Sequence, residues 1–298
     1  MPKIGIVIVN YNGEKYQNDC VKSLYEMKFS DFKIIVVDSG SSDRSIEMLK
    51  SQYPDVIIIE KKENVGVAVG NNIGIRKSIE LGTQYTLLLN NDVEVDGELL
   101  SELLKKADDN TVVVPKIYYY EPNNMIWFGG GEFVFSGGYT RHIGQNEIDK
   151  GQFDKEKRIN YSPTCCMLIP NVVFKKIGMM DETVFMYFDD TDFCMRLLKN
   201  NIPIKYIPSA KLWHKVSSST GGEGSPLSVY YSTRNRFYFI KKHSDKMSTA
   251  VFIKTFISFC IQYIISPVRC KNDKYILPAI NDYFHGRMGR KDNLIKKK

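Results

Sequence analysis

The sequence predicts an α/β fold in which helices cover both faces of a largely parallel sheet. Two observations carry that expectation. Apolar, β-branched runs recur at Ile4–Asn10, Phe32–Asp38, residues 56–60 and Tyr85–Asn90, with helix-length segments between them. Continuous apolar runs are what strands buried on both faces require, and their alternation with helices is the βαβ signature. Residues 16–27 place Tyr16, Cys20, Leu24 and Met27 on one helical face, and residues 97–107 do the same with Leu99, Leu100, Leu103 and Leu104. Three of the runs end in Asn10, Asp38 and Asn90. In open α/β sheets ligands bind beyond the carboxyl ends of the strands, so these three are expected at one crevice.

Further along, residues 111–120 read as a strand leading into Gly129-Gly130-Gly131 and Ser136-Gly137-Gly138, which mark hairpin or loop turns. Residues 141–160 are polar and expected to be loop. Residues 161–170 are expected as a strand, Asn171–Ile177 as a short helix, and 190–200 as a helix with an acidic first turn that suits the macrodipole. Strands are expected at 202–207 and 211–214. The Ser- and Gly-rich stretch 216–226 reads as a mobile loop at a site rather than a linker.

With 298 residues, 43% hydrophobic and 25% charged, the chain can bury a full core without disulfides. Its six cysteines show neither metal-ligand spacing nor a secreted framework, and the opening apolar run is too short for a signal peptide, so a cytoplasmic location is expected. The net charge of +7 is uneven. Residues 241–298 carry thirteen Lys or Arg against four Asp, a local +9, so the first 240 residues sum to −2. Such a tail suits nucleic acid, an anionic membrane surface or plain solubility.

Three groups of residues carry chemistry. Asn90-Asn91-Asp92 stands where an apolar strand reaches the crevice; Asp92 offers oxygen ligands to a hard divalent cation, although such a triplet is also an ordinary turn. Asp189, Asp190 and Asp192 crowd among aromatic residues, and crowding in apolar surroundings raises at least one carboxyl pKa, as a general base needs. An acidic helix start would also explain them. His214 ends a strand and could supply a nitrogen to a metal, or could be structural.

In this order the pieces resemble the family 2 glycosyltransferases, and within them the rhamnosyltransferase-like branch that builds bacterial polysaccharides. Ile8-Val9-Asn10-Tyr11-Asn12-Gly13 resembles the family's opening strand and turn, and Val36-Val37-Asp38-Ser39-Gly40-Ser41-Ser42-Asp43 its second strand. Asn64-Val65-Gly66 through Asn71-Asn72-Ile73-Gly74 is similar to the segment that passes the nucleotide. Asn90-Asn91-Asp92 stands at the metal-binding Asp-x-Asp variant, the run from Phe185 to Cys194 at the catalytic base, and Trp213-His214 at the late metal-ligand His. Two departures are visible: Asp189 stands where the family more often has Glu, and Cys165-Cys166 where it keeps a small pair.

The resemblance implies the GT-A fold, a Rossmann-like nucleotide-binding mixed sheet flanked by helices, over residues 1–243, with 244–298 a basic helical extension. It implies donor binding by Asn10, Asn12, Asp38, Asn64, Asn72, Asn90, Asn91 and Asp92, a Mg2+ or Mn2+ ion on Asp92 and His214, and Asp190 as base of an inverting transfer. Asp189 and Asp192 are expected as acceptor or supporting groups. The donor would be a dTDP- or UDP-linked sugar and the acceptor a glycan or lipid-linked glycan. The stretch 247–268 is interrupted by Lys254, Gln262 and Pro267, which favours an interfacial helix at the inner face of the membrane over a span; a helix packed on the core is the other reading. A nucleic-acid partner is not expected, because an acidic crevice repels phosphate. A sugar nucleotidyltransferase would want a basic Gly-rich loop where Asn10-Tyr11-Asn12-Gly13-Glu14 stands. A silent nucleotide-sugar binding module would be expected to lack the base or the metal ligands.

Overall fold

The computed structural model describes residues 3–216, 222, 224–269 and 272–295. In chain order the elements are β1 (Ile4–Asn10), α1 (Gln17–Tyr25), β2 (Phe32–Asp38), α2 (Ser45–Gln52), β3 (Ile57–Glu60), α3 (Val67–Glu80), β4 (Tyr85–Asn90), β5 (Val93–Val95), α4 (Leu99–Leu104), β6 (Val112–Tyr119), β7 (Ile126–Phe128), β8 (Gly131–Val134), β9 (Tyr139–His142), β10 (Lys157–Ile159), β11 (Cys166–Pro170), α5 (Asn171–Ile177), α6 (Asp189–Lys199), β12 (Ile204–His214), α7 (Pro226–Lys242), α8 (Thr249–Arg269), α9 (Ile276–Phe284) and α10 (Asp292–Ile295).

The main sheet runs β10-β12-β6-β11-β4-β1-β2-β3. The four β-branched runs pair in parallel as expected; the interiors of β1, β2 and β4 are buried, while Ile57, Ile58 and Ile59 of the edge strand β3 are half-buried. Register places Asn10 beside Asp38 and Val9 beside Asn90, so the polar strand ends lie at one level. Beyond β4 the sheet turns mixed: β11 is antiparallel to β4 and β6, while β12 runs parallel to β6.

Several expected boundaries shift for physical reasons. The two strands foreseen at 202–207 and 211–214 are one, β12, with an irregularity between Ile207 and Lys211 where Pro208 cannot donate to the ladder. Only Cys166–Pro170 of the run 161–170 is strand; the Cys165 carbonyl still accepts from the Asn90 N–H at 3.0 Å, and residues 161–164 lie outside the ladder. The stretch 141–160 is not all loop. It contains β10, and the buried Lys116 ammonium anchors it through Asp149 at 2.8 Å and through Asp154. Of the loop 216–226, residues 217–221 and 223 lie outside the described residues, as do Lys296, Lys297 and Lys298.

The C-terminal helices fold back on α7. Phe237 meets Phe252, Phe256 and Phe259 of α8 and Tyr283 of α9, and the buried Asp282 accepts a hydrogen bond from the Tyr230 hydroxyl at 2.5 Å. The outer side of α8 instead leaves Ile253, Ile257, Ile261 and Ile264 at least half exposed. Among the described residues, no helix is long and apolar enough to cross a membrane.

Candidate active site

A cavity of about 520 Å³ opens at the carboxyl ends of β1 and β4. Its walls bring together Asn64, Asn90, Asn91 and Asp92 from the first half of the chain with Asp189, Asp190 and His214 from the second. Asn10, Asn12 and Asp38 form the framework behind that wall. The Asn10 amide donates to Asp38 Oδ1 at 3.0 Å and Ser45 Oγ at 2.9 Å, and its carbonyl accepts from Asn91 Nδ2 at 3.0 Å. Asp38 also accepts from the Ser41 N–H at 3.0 Å, and Asn12 Oδ1 from the Ser42 N–H at 2.8 Å. Asn72 braces the Met180 backbone with two 2.9 Å hydrogen bonds, and its neighbour Asn71 lines the cavity instead. That helical neighbours face different ways follows from the turn angle of α3.

His214 reaches Asp92 because β5 pairs with the end of β12, setting Val93 opposite His214. The imidazole Nε2 lies 3.1 Å from Asp92 Oδ1, and both residues are buried. Burial works against a charged ring, but the neighbouring Cys165 sulfur and the Asp92 carboxylate outweigh it and raise the His214 pKa to about 10. One carboxylate oxygen and one imidazole nitrogen fit a hard divalent cation. Ligand atoms at right angles around an octahedral ion at roughly 2.1 Å stand roughly 3 Å apart, as these do. Among the described residues no cluster of three or more such side chains gathers. The remaining ligands of an ion held here would come from substrate and water.

The carboxylates on the opposite wall open α6 after a strained turn. Tyr187 and Phe188 both take left-handed backbone, at φ 62° and 69°, a conformation that costs non-glycine residues of order 1 kcal/mol or more each. Asn235, fully buried on α7, holds the turn by donating to the Met186 carbonyl at 2.9 Å and the Tyr187 carbonyl at 3.0 Å. The result turns Asp189 and Asp190 into the cavity. Burial, with Asp190 alongside, pushes the Asp189 carboxyl up to about 7, and its Oδ2 has no hydrogen-bond partner among the described residues. Burial also raises Asp190, against hydrogen bonds from the Tyr161 hydroxyl to Oδ2 at 2.8 Å and from the Thr191 N–H to Oδ1 at 2.6 Å. Asp192 faces away. Buried as it is, His243, Arg196 and Lys242 hold its carboxyl well below the usual range, at 2.8, 2.8 and 2.6 Å.

Between the two walls lies an aromatic group that sequence reasoning missed. Trp127 meets both His214 and His142 edge-on with centroids 4.6 Å apart, and His142 stacks against Tyr161 at 5.9 Å. Burial lowers the His142 pKa to about 4, so the ring is neutral. Its Nδ1 then donates to the Trp127 carbonyl at 3.1 Å.

Structures of two other proteins share this arrangement of strands and helices. Staphylococcus aureus TarS 1-349 with UDP-GlcNAc has a TM-score of 0.60 at 16% identity, covering 95% of this chain and 81% of that one. The mannosyltransferase PcManGT of Pyrobaculum calidifontis, solved with GDP-Man and Mn2+, has 0.59 at 11% identity, covering 95% and 87%. Both confirm the GT-A fold. In sequence the chain is 29% identical to the low-salt glycan biosynthesis hexosyltransferase Agl10 of Haloferax volcanii, over 96% of this chain and 92% of that protein. It is 27% identical to the dTDP-rhamnosyl transferase RfbF of Shigella flexneri, over 80% and 79%. The description "Glycosyl transferase family 2" matches residues 5–178, more than half of the sequence, and the chain therefore belongs to that family.

Proposed function

We propose that the protein transfers a hexose, with rhamnose the leading candidate, from a dTDP- or UDP-linked donor to a glycan or lipid-linked glycan in polysaccharide synthesis, inverting the anomeric carbon. The reading is carried by the cavity that sets the buried Asp189 and the half-buried Asp190 on one wall and the Asp92–His214 pair on another. The name of Agl10 describes a hexosyltransferase of glycan biosynthesis and that of RfbF a dTDP-rhamnosyl transferase, which supports a hexose donor and a glycan product.

In this mechanism Asn64, Asn90 and Asn91 line the path of the donor, with Asn10, Asn12 and Asp38 behind them and Asn72 bracing α3. Asp92 and His214 hold Mg2+ or Mn2+, which supplies positive charge to the leaving diphosphate. Asp190 takes the proton of the acceptor hydroxyl as its oxygen bonds to the anomeric carbon and the bond to the diphosphate oxygen breaks on the opposite side. A carboxylate has about four lone-pair sites, so Asp190 can accept from the acceptor while keeping Tyr161 and Thr191. Asp189 presents its unpartnered oxygen to orient the acceptor, and Asp192 supports the helix from behind.

The tail, residues 244–298, would rest on the inner leaflet. The Ile253, Ile257, Ile261 and Ile264 stripe gives α8 an apolar side for the headgroup region, and the surrounding Lys and Arg complement anionic lipid. Sedimentation with anionic liposomes should show binding that weakens with salt; equal binding to neutral vesicles would contradict it. Donor binding is tested by titration calorimetry of UDP and dTDP with Mn2+. Chelator or Asp92→Ala should sharply weaken binding, and equal affinity in all conditions would overturn the metal assignment.

A further inference from the structure

The C-terminal segment lies outside the residues matched to the family, yet it touches the donor side of the cavity. Arg234 of α7, fully buried, fixes this segment by donating to the Gly289 carbonyl at 2.8 Å and the Arg287 carbonyl at 3.3 Å. The Lys291 N–H donates to the Tyr231 hydroxyl at 2.8 Å, and the Gly289 N–H to the Thr183 carbonyl at 3.2 Å. So held, the segment presents Arg290 to the loop before α3. Arg290 Nη1 donates to the Asn64 carbonyl at 3.1 Å and to Glu63 Oε2 at 3.2 Å, across 226 positions of sequence in the first case.

That loop has few other supports. Its far end is fixed where the Val67 N–H donates to the Phe185 carbonyl at 2.8 Å, and Gly66, at φ 83°, approaches Phe185 too closely for any Cβ. Gly40 packs under the Glu63 backbone. Between these points the cavity-lining Asn64 owes the position of its carbonyl to Arg290, and its own Oδ1 accepts from the Gly66 N–H at 3.0 Å. We propose that the segment from Gly289 to Lys291 is a working part of the donor site, with Arg290 the positioning residue that sets the Asn64 loop for a nucleoside diphosphate. This rests on the donor-binding reading given above.

Titration calorimetry of the full chain with UDP and with dTDP in Mn2+ tests it. Arg290→Ala should weaken nucleotide binding about tenfold, the scale of one to two lost hydrogen bonds, measured at a temperature where circular dichroism shows the fold of the variant intact. Arg290→Lys keeps the charge and one donor for the Asn64 carbonyl and should recover most of the affinity. Arg287→Ala removes the same charge just ahead of that segment, but its guanidinium pairs with Asp282 at 2.6 Å, away from the loop, and binding should be unaltered. Equal affinity of Arg290→Ala and wild type overturns the proposal. So does an equal loss in Arg287→Ala, which would make the effect one of charge alone. If the wild type binds neither nucleotide, the donor reading falls and takes this inference with it.

Discussion

Replacing Tyr161 by Phe removes one atom, the hydroxyl that donates to Asp190 Oδ2 at 2.8 Å. That bond favours the charged carboxylate, and a hydrogen bond to a charged group is worth about 1.5–3 kcal/mol. At 1.36 kcal/mol per unit, its loss should move the acidic limb of the kcat–pH profile up by about 1–2 units. The sign is fixed by chemistry: the anion loses a donor, so the proton is held more tightly. On that limb turnover should fall by about 10- to 100-fold and recover as the pH is raised, while nucleotide affinity stays the same. Tyr161 itself does not titrate across the range, since burial pushes its hydroxyl well above its ordinary value. The assay is donor turnover by the Phe variant and wild type over a pH series at saturating donor. A limb that stays in place or moves down would show that Tyr161 does not tune the base.

Asp189 predicts a stability effect with a defined window. Its carboxyl sits at about 7 in the folded chain against about 4 unfolded, so the unfolded state releases the proton first and stability falls as pH rises from about 4 to 7. Asp189→Asn should abolish that fall and raise the melting temperature at pH 8 but not at pH 4; no gain at pH 8 would contradict the burial argument. Asp192→Ala should cost about 3–5 kcal/mol in denaturant unfolding, because it leaves His243, Arg196 and Lys242 without their shared anion. A loss under 1 kcal/mol would show that solvent replaces it. Because the Asp92 carboxylate favours the protonated His214 ring, manganese must displace that proton, and manganese-supported UDP binding should strengthen from pH 6 to 8. Calorimetry with flat affinity over that interval would remove His214 from the metal's ligands.

Much of the first half of the chain was legible because its signals are local. The runs ending at Asn10, Asp38 and Asn90 are continuous and β-branched, as parallel strands buried on both faces must be, and their register follows from that burial. The acidic start of α6 was equally plain. What escaped depends on distant partners. β5 and β10 have three residues each and exist only by pairing with β12, and Lys116 is buried only because Asp149 and Asp154 return to it. Trp127, His142 and Tyr161 carry no spacing that marks a site; short strands joined by glycine turns bring them together. Neither could composition tell Asn71 from Asn72, or separate Asp190 from Asp192, since the facing of each is decided by what packs behind the helix.

The role of Asp190 is reached most directly by supplying a nucleotide sugar labelled with carbon-13 at the anomeric position and following transfer by nuclear magnetic resonance, with wild type and Asp190→Asn in parallel. Asn keeps the size and the hydrogen bonds of the side chain but cannot take the acceptor's proton. The product of the wild type should carry the opposite anomeric configuration to the donor, and the Asn variant should bind UDP or dTDP normally while its turnover drops by about a hundredfold or more. Retained configuration, or near-normal turnover in the Asn variant with its fold intact, would contradict a single displacement with Asp190 as the base.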